Sequence, residues 1–404
     1  MVAATVLAAC GITTAAEAAP LTFGEVVREA LEKGPEAAKI DATLADRAAE
    51  AFERGVKENP VLSAGMEQPL NPPGGEREET ELSVSIAQAI RPSDFGARAA
   101  LAALMRDTAE TEKVLALSEF VQALAVLYGR AWQQQEAGRV LIDARTRAAQ
   151  ALKKAAGAAN QGLIPEGDVA LLKAELKSIE AESRAVRADG ARAAAELTRA
   201  SGLSLSGREL AAPPAEAVPT KDELLGLVRG GRLPIQQRFG LMKRVAEKQL
   251  EVSRLDAYPA LSPSVGYARH DDGTSQVTLG FSVPLPLFNR NDGERLRAQG
   301  AIALANRNAA YASSEAIESE ALLLLDALTS LAEQVALYES EVVPARRRAA
   351  EAYYRQFEAG SGSIFQFWQA QRDLSDSRLK AIELRGVLVT TKAQMNALTG
   401  QQAF

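Results

Sequence analysis

Residues 276 to 285 alternate strictly, with Val277, Leu279, Phe281, Val283 and Leu285 on one side and Thr278, Gly280, Ser282 and Pro284 on the other. That two-residue period belongs to a strand with one apolar face. Leu82, Val84 and Ile86 alternate with Ser83, Ser85 and Ala87 in the same way. A partner run precedes each, at 61–67 ahead of a Pro/Gly turn and at 261–269 ahead of His270-Asp271-Asp272-Gly273. The pattern predicts two hairpins, over 61–89 and 259–287, with strands of roughly the 9 to 11 residues that cross a bilayer.

Elsewhere the period is helical. From Glu294 to Phe357 the only proline is Pro344, so the spacing predicts one helix of about 64 residues, nearly 100 Å long at 1.5 Å per residue. Along it Ala321, Leu324, Leu328, Leu331, Val335, Tyr338, Val342, Ala345 and Ala349 alternate spacings of three and four. The return helix does so from Phe367 and Ala370 through Leu374, Ala381, Leu384 and Leu388 to Met395 and Leu398. A 3.5-residue period is a coiled-coil seam, and Lys, Arg, Glu and Gln fill the other faces.

The same landmarks occur twice. Thr22…Glu25 recurs as Thr220…Glu223, Pro60-Val61-Leu62-Ser63 as Pro259-Ala260-Leu261-Ser262, and residues 85–98 align without a gap on 282–295. Residues 162–176 match 360–374, and Gly202 matches Gly400. One offset near 198 governs all five, so the chain reads as a tandem duplication. The division expected is a leader at 1–19, a first repeat at 20–210, a linker at 211–219 and a second repeat at 220–404.

Composition narrows the chemistry. Forty-six Lys and Arg against 52 Asp and Glu give a net charge of −6, which argues against nucleic acid as partner. One Cys and one His leave no internal disulfide, no zinc or haem cluster and no Cys–His catalysis. The expectation is a protein that is not an enzyme and carries no cofactor or resident metal. His270, Asp271 and Asp272 resemble a metal trio but suit a solvated turn better.

Residues 2 to 16 carry no charge, and Ala16-Glu17-Ala18 offers a small-x-small cleavage site. Leu7-Ala8-Ala9-Cys10 also resembles a lipobox, which would make Cys10 a lipidation site; the alternative is that Cys10 leaves with the leader. Both readings export the chain. No later stretch holds about 18 uncharged apolar residues, the best run at 114–128 being broken by Glu119. Export without a spanning helix leaves the periplasm, the exterior, or an outer membrane crossed by strands. Two hairpins give four strands, which cannot close a barrel, so strands in lipid would have to be pooled by several chains.

The motifs VPLPLFNRNDG (283–293) and FEAGSGSIFQFWQAQRDLSDSRL (357–379), with the paired hairpins and the terminal Leu398-Thr399-Gly400, resemble the TolC family of outer-membrane efflux channels, and within it the heavy-metal branch typified by CzcC. The resemblance spans essentially the whole mature chain. It implies a mainly α protein with a small β part: a homotrimer whose four strands per chain build a twelve-stranded β-barrel in the outer membrane, above an α-barrel reaching into the periplasm. It further implies a tip docked on a periplasmic adaptor, itself bound to a proton-driven inner-membrane pump of the resistance–nodulation–division type. Such a channel conducts passively, here heavy-metal cations; the alternatives are a multidrug or organic-solvent channel of the same family, or a soluble periplasmic coiled-coil adaptor.

Two regions follow as candidate sites. Gly162, Leu163 and Ile164, and Gly360, Gly362, Ile364 and Phe365, mark the reversals at the helix tips, with glycine allowing the turn and Ile164, Pro165, Ile364 or Phe365 filling it. By the resemblance this end narrows the channel and docks the adaptor, with Asp168, Gln366 and Gln369 at the constriction. Asp168 also reads as a carboxylate favoured in the first turn of its helix. Phe365, Phe367 and Trp368 offer an adaptor-docking surface, but at their helical spacing they read as buried packing, and Arg346-Arg347-Arg348 reads as a solvated face. At the strand–helix junction, Pro284 and Pro286 end ladder pairing, Phe288 suits the lipid boundary, and Asn289, Asn291 and Asp292 cap the helix opening at Gly293.

Overall fold

The structure, a computed structural model, describes residues 19–67, 80–205, 207–213, 218–288 and 290–400. Cys10 and Asn289, with residues 1–18 of the expected leader, lie outside the described residues.

The chain runs α1 (Phe23–Lys33), α2 (Pro35–Gly55), β1 (Val61–Glu67), β2 (Glu81–Ala87), α3 (Ala97–Asn160) and α4 (Glu166–Ser201). The order then repeats as α5 (Lys221–Arg229), α6 (Pro234–Leu255), β3 (Ser262–His270), β4 (Ser275–Ser282), the consecutive pieces α7 (Asp292–Ala312), α8 (Glu315–Leu337) and α9 (Val343–Glu358), and α10 (Ile364–Thr399). Local chemistry sets matching ends. Thr22 and Thr220 each close a capping box with the glutamate three residues on, at 3.3 Å from the amide of Glu25 or Glu223. Gly202 and Gly400 end α4 and α10 at φ near +70°, the left-handed conformation that costs glycine least.

The four strands form one antiparallel sheet in the order β1-β2-β3-β4. The two hairpins join through β2 and β3, with Glu81 opposite His270 and Ile86 opposite Val265. One face carries Leu62, Met66, Leu82, Val84, Ile86, Val265, Tyr267, Val277, Leu279 and Phe281, all exposed. The other is crowded and small: a Cβ on Gly280 would sit 3.0 Å from Ser264 Oγ, and one on Gly266 would sit 3.2 Å from Ser85 Cβ. The strands are seven to nine residues long, shorter than expected.

The single helix expected over 294–357 is three pieces. Ser313 and Ser314 turn their hydroxyls onto the carbonyls of Ala309 and Tyr311, and the backbone at Ser314 is extended. Residues Tyr338–Val342 then form a π-helical turn immediately ahead of Pro344. Proline has no N–H and crowds the carbonyl four residues back, and widening the turn accommodates it. The extra residue moves the buried stripe by one position: Ala321, Leu328 and Val335 are buried as expected, but beyond the turn Ala350 is buried and Ala345 exposed. On α10 every expected seam position is buried or half-buried.

Two helical stretches, α3 and residues 315–358, reach membrane-spanning length and apolarity when up to two charges are allowed. Their apolar side chains also have partners within the chain. Phe120, Leu124, Tyr128 and Trp132 of α3 pack on α1, α4 and the N-terminal segment. Ile317, Ala321, Leu325 and Leu328 of α8 pack on Leu224, Val228 and Met395.

Just ahead of the expected linker, Leu210 bridges Leu21 of the N-terminal segment in parallel. The Tyr128 hydroxyl lies 2.8 Å from the Leu21 carbonyl and 2.7 Å from that of Ala211. It has one proton to share between them, and burial pushes the phenol well above its ordinary pKa. Gln135 holds Leu210 through both its amide N–H and its carbonyl.

Candidate functional site

Both tips are built alike, for reasons visible in the backbone. At the end of α3, Leu163 N–H bonds back to Ala158 O at 3.0 Å and Gly162 N–H to Ala159 O at 2.9 Å, with Gly162 at φ +72°. At the end of α9, Ser361 N–H reaches Gln356 O at 3.0 Å and Gly360 N–H reaches Phe357 O at 3.1 Å, with Gly360 at φ +71°. Each is a Schellman closure that needs a left-handed residue. Gly362 is required for space, since a Cβ there would lie 2.9 Å from the Phe357 nitrogen.

The two tips pack on each other. Ala148, Ala151 and Ala155 of α3, Leu172 of α4, and Ile364, Phe367 and Trp368 of α10 form one buried cluster, with Ile164, Tyr354 and Phe357 against it. The Phe367 ring lies 5.1 Å from that of Tyr354 and 6.3 Å from that of Phe357. Phe367 and Trp368 are thus packing residues. Phe365 does not fill the turn with Ile364: it is 53% exposed, as Leu163 is 73% exposed, so each tip carries an exposed apolar side chain.

Asp168 and Gln366 occupy the same place, the third residue of their return helices. Asp168 is half-buried in the acidic first turn of α4; the cap residue there is Pro165, which offers no side-chain bond. Gln366 and Gln369 are exposed, and the Gln369 amide donates to Asp373 at 3.1 Å.

Ion pairs stitch the two hairpins together behind the tip, and sequence reasoning missed them. Lys154 of α3 binds Glu358 and the Tyr354 hydroxyl of α9, its ammonium lying 5.0 Å from the Tyr354 ring centre. Its hydrogen bond holds the Glu358 carboxyl below the usual range, and the same contact raises Lys154. Arg372 reaches Glu175 at 3.0 Å, and Arg378 reaches Asp143 at 2.9 Å. Burial alone would raise Asp143; Arg147 and then Arg378 outweigh it and hold the carboxyl low. These partners lie 197 to 235 residues apart, so no local signal marks them. Arg346 pairs with Asp373 on α10, which ties one end of the arginine run down.

At the other end of the molecule, Pro284 and Pro286 follow the last paired residue of β4, and Phe288 is fully exposed. α7 opens at Asp292, slightly earlier than expected, behind a left-handed Asn291 at φ 62°. The Asn291 side chain does not cap α7; its amide donates to the Ser253 carbonyl on α6 at 3.0 Å. In the hairpin turn, Asp272 accepts from the Thr274 amide at 2.6 Å, and His270 Nε2 lies 4.0 Å from Glu81. Among the described residues no His, Cys, Asp and Glu cluster could hold a metal ion.

An open sheet of exposed apolar side chains, set on helices that end in a doubled tip, has known counterparts. Residues 241–401 match the family model of outer membrane efflux proteins. No curated protein matches the chain. Among solved structures, the fold is similar to the outer membrane protein VceC of Vibrio cholerae, at 17% identity over 93% of this chain and 96% of that one, with a TM-score of 0.73. It is similar to the open state of the MtrE outer membrane channel of Neisseria gonorrhoeae, at 14% identity over 94% and 88%, TM-score 0.74. The CmeC outer membrane channel of Campylobacter jejuni gives 14% identity, 94% and 85% coverage, and 0.73. The chain therefore has the fold of channels seated in the outer membrane, mainly helical with a small sheet.

Proposed function

We propose that the chain is the outer-membrane exit duct of a tripartite efflux system, a homotrimer that conducts its cargo passively. Three copies pool their strands into a twelve-stranded barrel in the outer membrane, and the helices continue as an α-barrel into the periplasm. The tip docks on a periplasmic adaptor bound to a proton-driven inner-membrane pump.

One observation carries this reading. The sheet exposes its large apolar side chains, keeps glycine and serine on the other face, and ends in two edges, β1 and β4, whose residues are all exposed. Such a sheet is wrong for water. In lipid its outer face is satisfied, but each unpaired edge group costs several kcal/mol until another chain closes it. α3, with 64 residues, is about 96 Å long and gives the reach below the membrane. A soluble adaptor would leave Leu279 and Phe281 without a use.

The cargo proposed is heavy-metal cations, supported by the likeness of 283–293 and 357–379 to the heavy-metal branch; an organic drug or solvent is the alternative. Asp168, Gln366 and Gln369 are placed at the constriction, and the exposed Leu163 and Phe365 on the adaptor. Three Asp168 carboxylates around a narrow mouth would focus cations. Deletion of the coding sequence should sensitise cells to zinc, cobalt, cadmium, copper or silver and leave dyes and antibiotics unchanged; the opposite pattern selects the alternative. In planar bilayers Asp168→Asn should lose cation preference, and unchanged selectivity removes Asp168 from the filter.

A further inference from the structure

Phe23 of α1, Tyr128 of α3, Leu328 and Val335 of α8, and Leu388 and Asn396 of α10 wall a cavity of about 220 Å³. Elements from both halves thus meet around a space rather than directly on one another. Core side chains normally interdigitate and leave few voids larger than a water molecule. A void of this size forfeits dispersion contacts along each wall until something fills it. The conduction proposed above makes no use of it.

The wall defines what fits. It is mainly apolar, and an apolar cavity of about 150 Å³ already takes up benzene, so this one has room for a substituted ring. Phe23 and Tyr128, set edge to face at 5.3 Å, offer ring surfaces on which an aromatic ligand gains beyond its buried area. The charges at the cavity are already engaged. Arg385 donates to Glu339 at 3.0 Å and to the Pro213 carbonyl at 3.2 Å, and it lies 5.7 Å from the Trp132 ring centre. Lys392 has an interaction of its own. An ionised ligand would therefore lose its hydration without gaining a counter-charge. Asn396 is different: it is 8% exposed and its main-chain carbonyl accepts from Thr399, but its side-chain amide has no hydrogen bond to any described residue. A buried amide calls for a partner, which a ligand hydroxyl or N–H supplies.

We propose that this cavity binds a small neutral aromatic molecule carrying one hydrogen-bonding group, of the chemical class of phenols and indoles. The ring lies against Phe23, Tyr128 and Leu388, and the polar group bonds the Asn396 amide. The site is built within a single chain and is distinct from the residues assigned to the tip, so it does not depend on how many copies assemble or on what they conduct.

The test is fluorescence quenching of the full chain in lipid nanodiscs. Trp368→Phe leaves Trp132, next to Arg385, as the sole tryptophan. In that background 4-bromophenol should quench Trp132 saturably. It should bind roughly tenfold more tightly than 4-bromobenzoate, which adds a charge, and roughly tenfold more tightly than bromobenzene, which lacks the hydrogen-bonding group. Asn396→Leu should abolish the preference for the phenol over bromobenzene. Ala332 lines the cavity, so Ala332→Phe fills it and should remove saturable quenching. Should these variants fail to fold, thermal unfolding of the native chain reads the same binding, rising with 4-bromophenol and not with 4-bromobenzoate. Quenching that never saturates, or that is equal in Ala332→Phe, is partition into lipid and overturns the site. Tighter binding of 4-bromobenzoate overturns the neutral ligand. Conductance plays no part in these readouts, so their failure leaves the exit-duct reading standing, and failure of that reading leaves the site standing.

Discussion

α3 and the α7–α8–α9 run hold corresponding places in the two halves, but α3 is one unbroken helix of 64 residues and its counterpart is interrupted twice. Both interruptions have local causes, the Ser313-Ser314 pair and Pro344. The unbroken helix is the central one: it packs on α2, α4, α6 and α10, and its Tyr128 and Gln135 hold the N-terminal segment and linker. The interrupted run has fewer such duties. An apolar cavity of about 220 Å³ lies beside Val335, Leu328 and Tyr128 near the second break. Continuity is therefore retained where one helix must organise many neighbours, and curvature is admitted where it need not.

The strongest way to break this contrast is to give α3 the proline of its counterpart. Thr146 corresponds to Pro344 at the common offset, and it lies mid-helix with its hydroxyl on Ile142 O. Thr146→Pro removes a backbone hydrogen bond in a helix with no π turn to absorb the ring, and should cost about 3 kcal/mol or more. Its readout is loss of heat-stable oligomer and of envelope protein. Normal levels would show that α3 tolerates a break as α8 and α9 do.

Next in size is Tyr128→Phe. The ring stays packed 5.3 Å from Phe23, but the carbonyls of Leu21 and Ala211 lose a buried donor. The expected loss is about 1 to 3 kcal/mol, read as earlier thermal unfolding in detergent, with the N-terminal segment becoming susceptible to protease first.

Pro344→Ala should do less, about 1 kcal/mol or under, because the packing of Ala350 on Leu374 also holds the register. The sharper readout is thiol labelling. In the native chain Ala345→Cys should label and Ala350→Cys should be protected. If Pro344 alone maintains the π turn, its removal moves protection to Ala349→Cys.

What the sequence reveals and what it withholds follow the distance between interacting residues. The capping boxes at Thr22 and Thr220, the left-handed glycines at 162 and 360, and the β1–β2 and β3–β4 hairpins arise from neighbours along the chain, and each leaves a readable pattern. The seam on α10 is legible because its period is unbroken over 36 residues. The π turn is not, since Pro344 at the first turn of a helix and Pro344 inside a longer one look alike until the packing of Ala350 is known. At the tip, the turn glycines are visible, whereas the pairing of Lys154 with Glu358 depends on how two hairpins 204 residues apart are laid together. The exposure of Phe365 is hidden for the same reason.

The smallest expected effect concerns that pair, which ties unbroken α3 to α9. Glu358 has its carboxyl pKa lowered by the Lys154 hydrogen bond and then by Tyr354, so the contact contributes fully above the ordinary carboxylate value of 4.5 and fades as pH falls through the lowered one. Lys154 is raised above 10.5, chiefly by the bond to Glu358, so on the alkaline side the contact persists until pH climbs through that raised value. Between these limits the tips should hold one separation. Spin labels on Leu163→Cys and Phe365→Cys should therefore report a constant distance distribution from about pH 5 to 9 and a broader one in acid. Glu358→Gln should broaden the distribution at every pH and remove the acid step. An acid step of unchanged size in Glu358→Gln would assign it instead to Asp143, whose partner Arg378 lies farther up α10. Because both side chains of the Lys154 pair are close to half exposed, solvent screening keeps the change small beside that of Thr146→Pro.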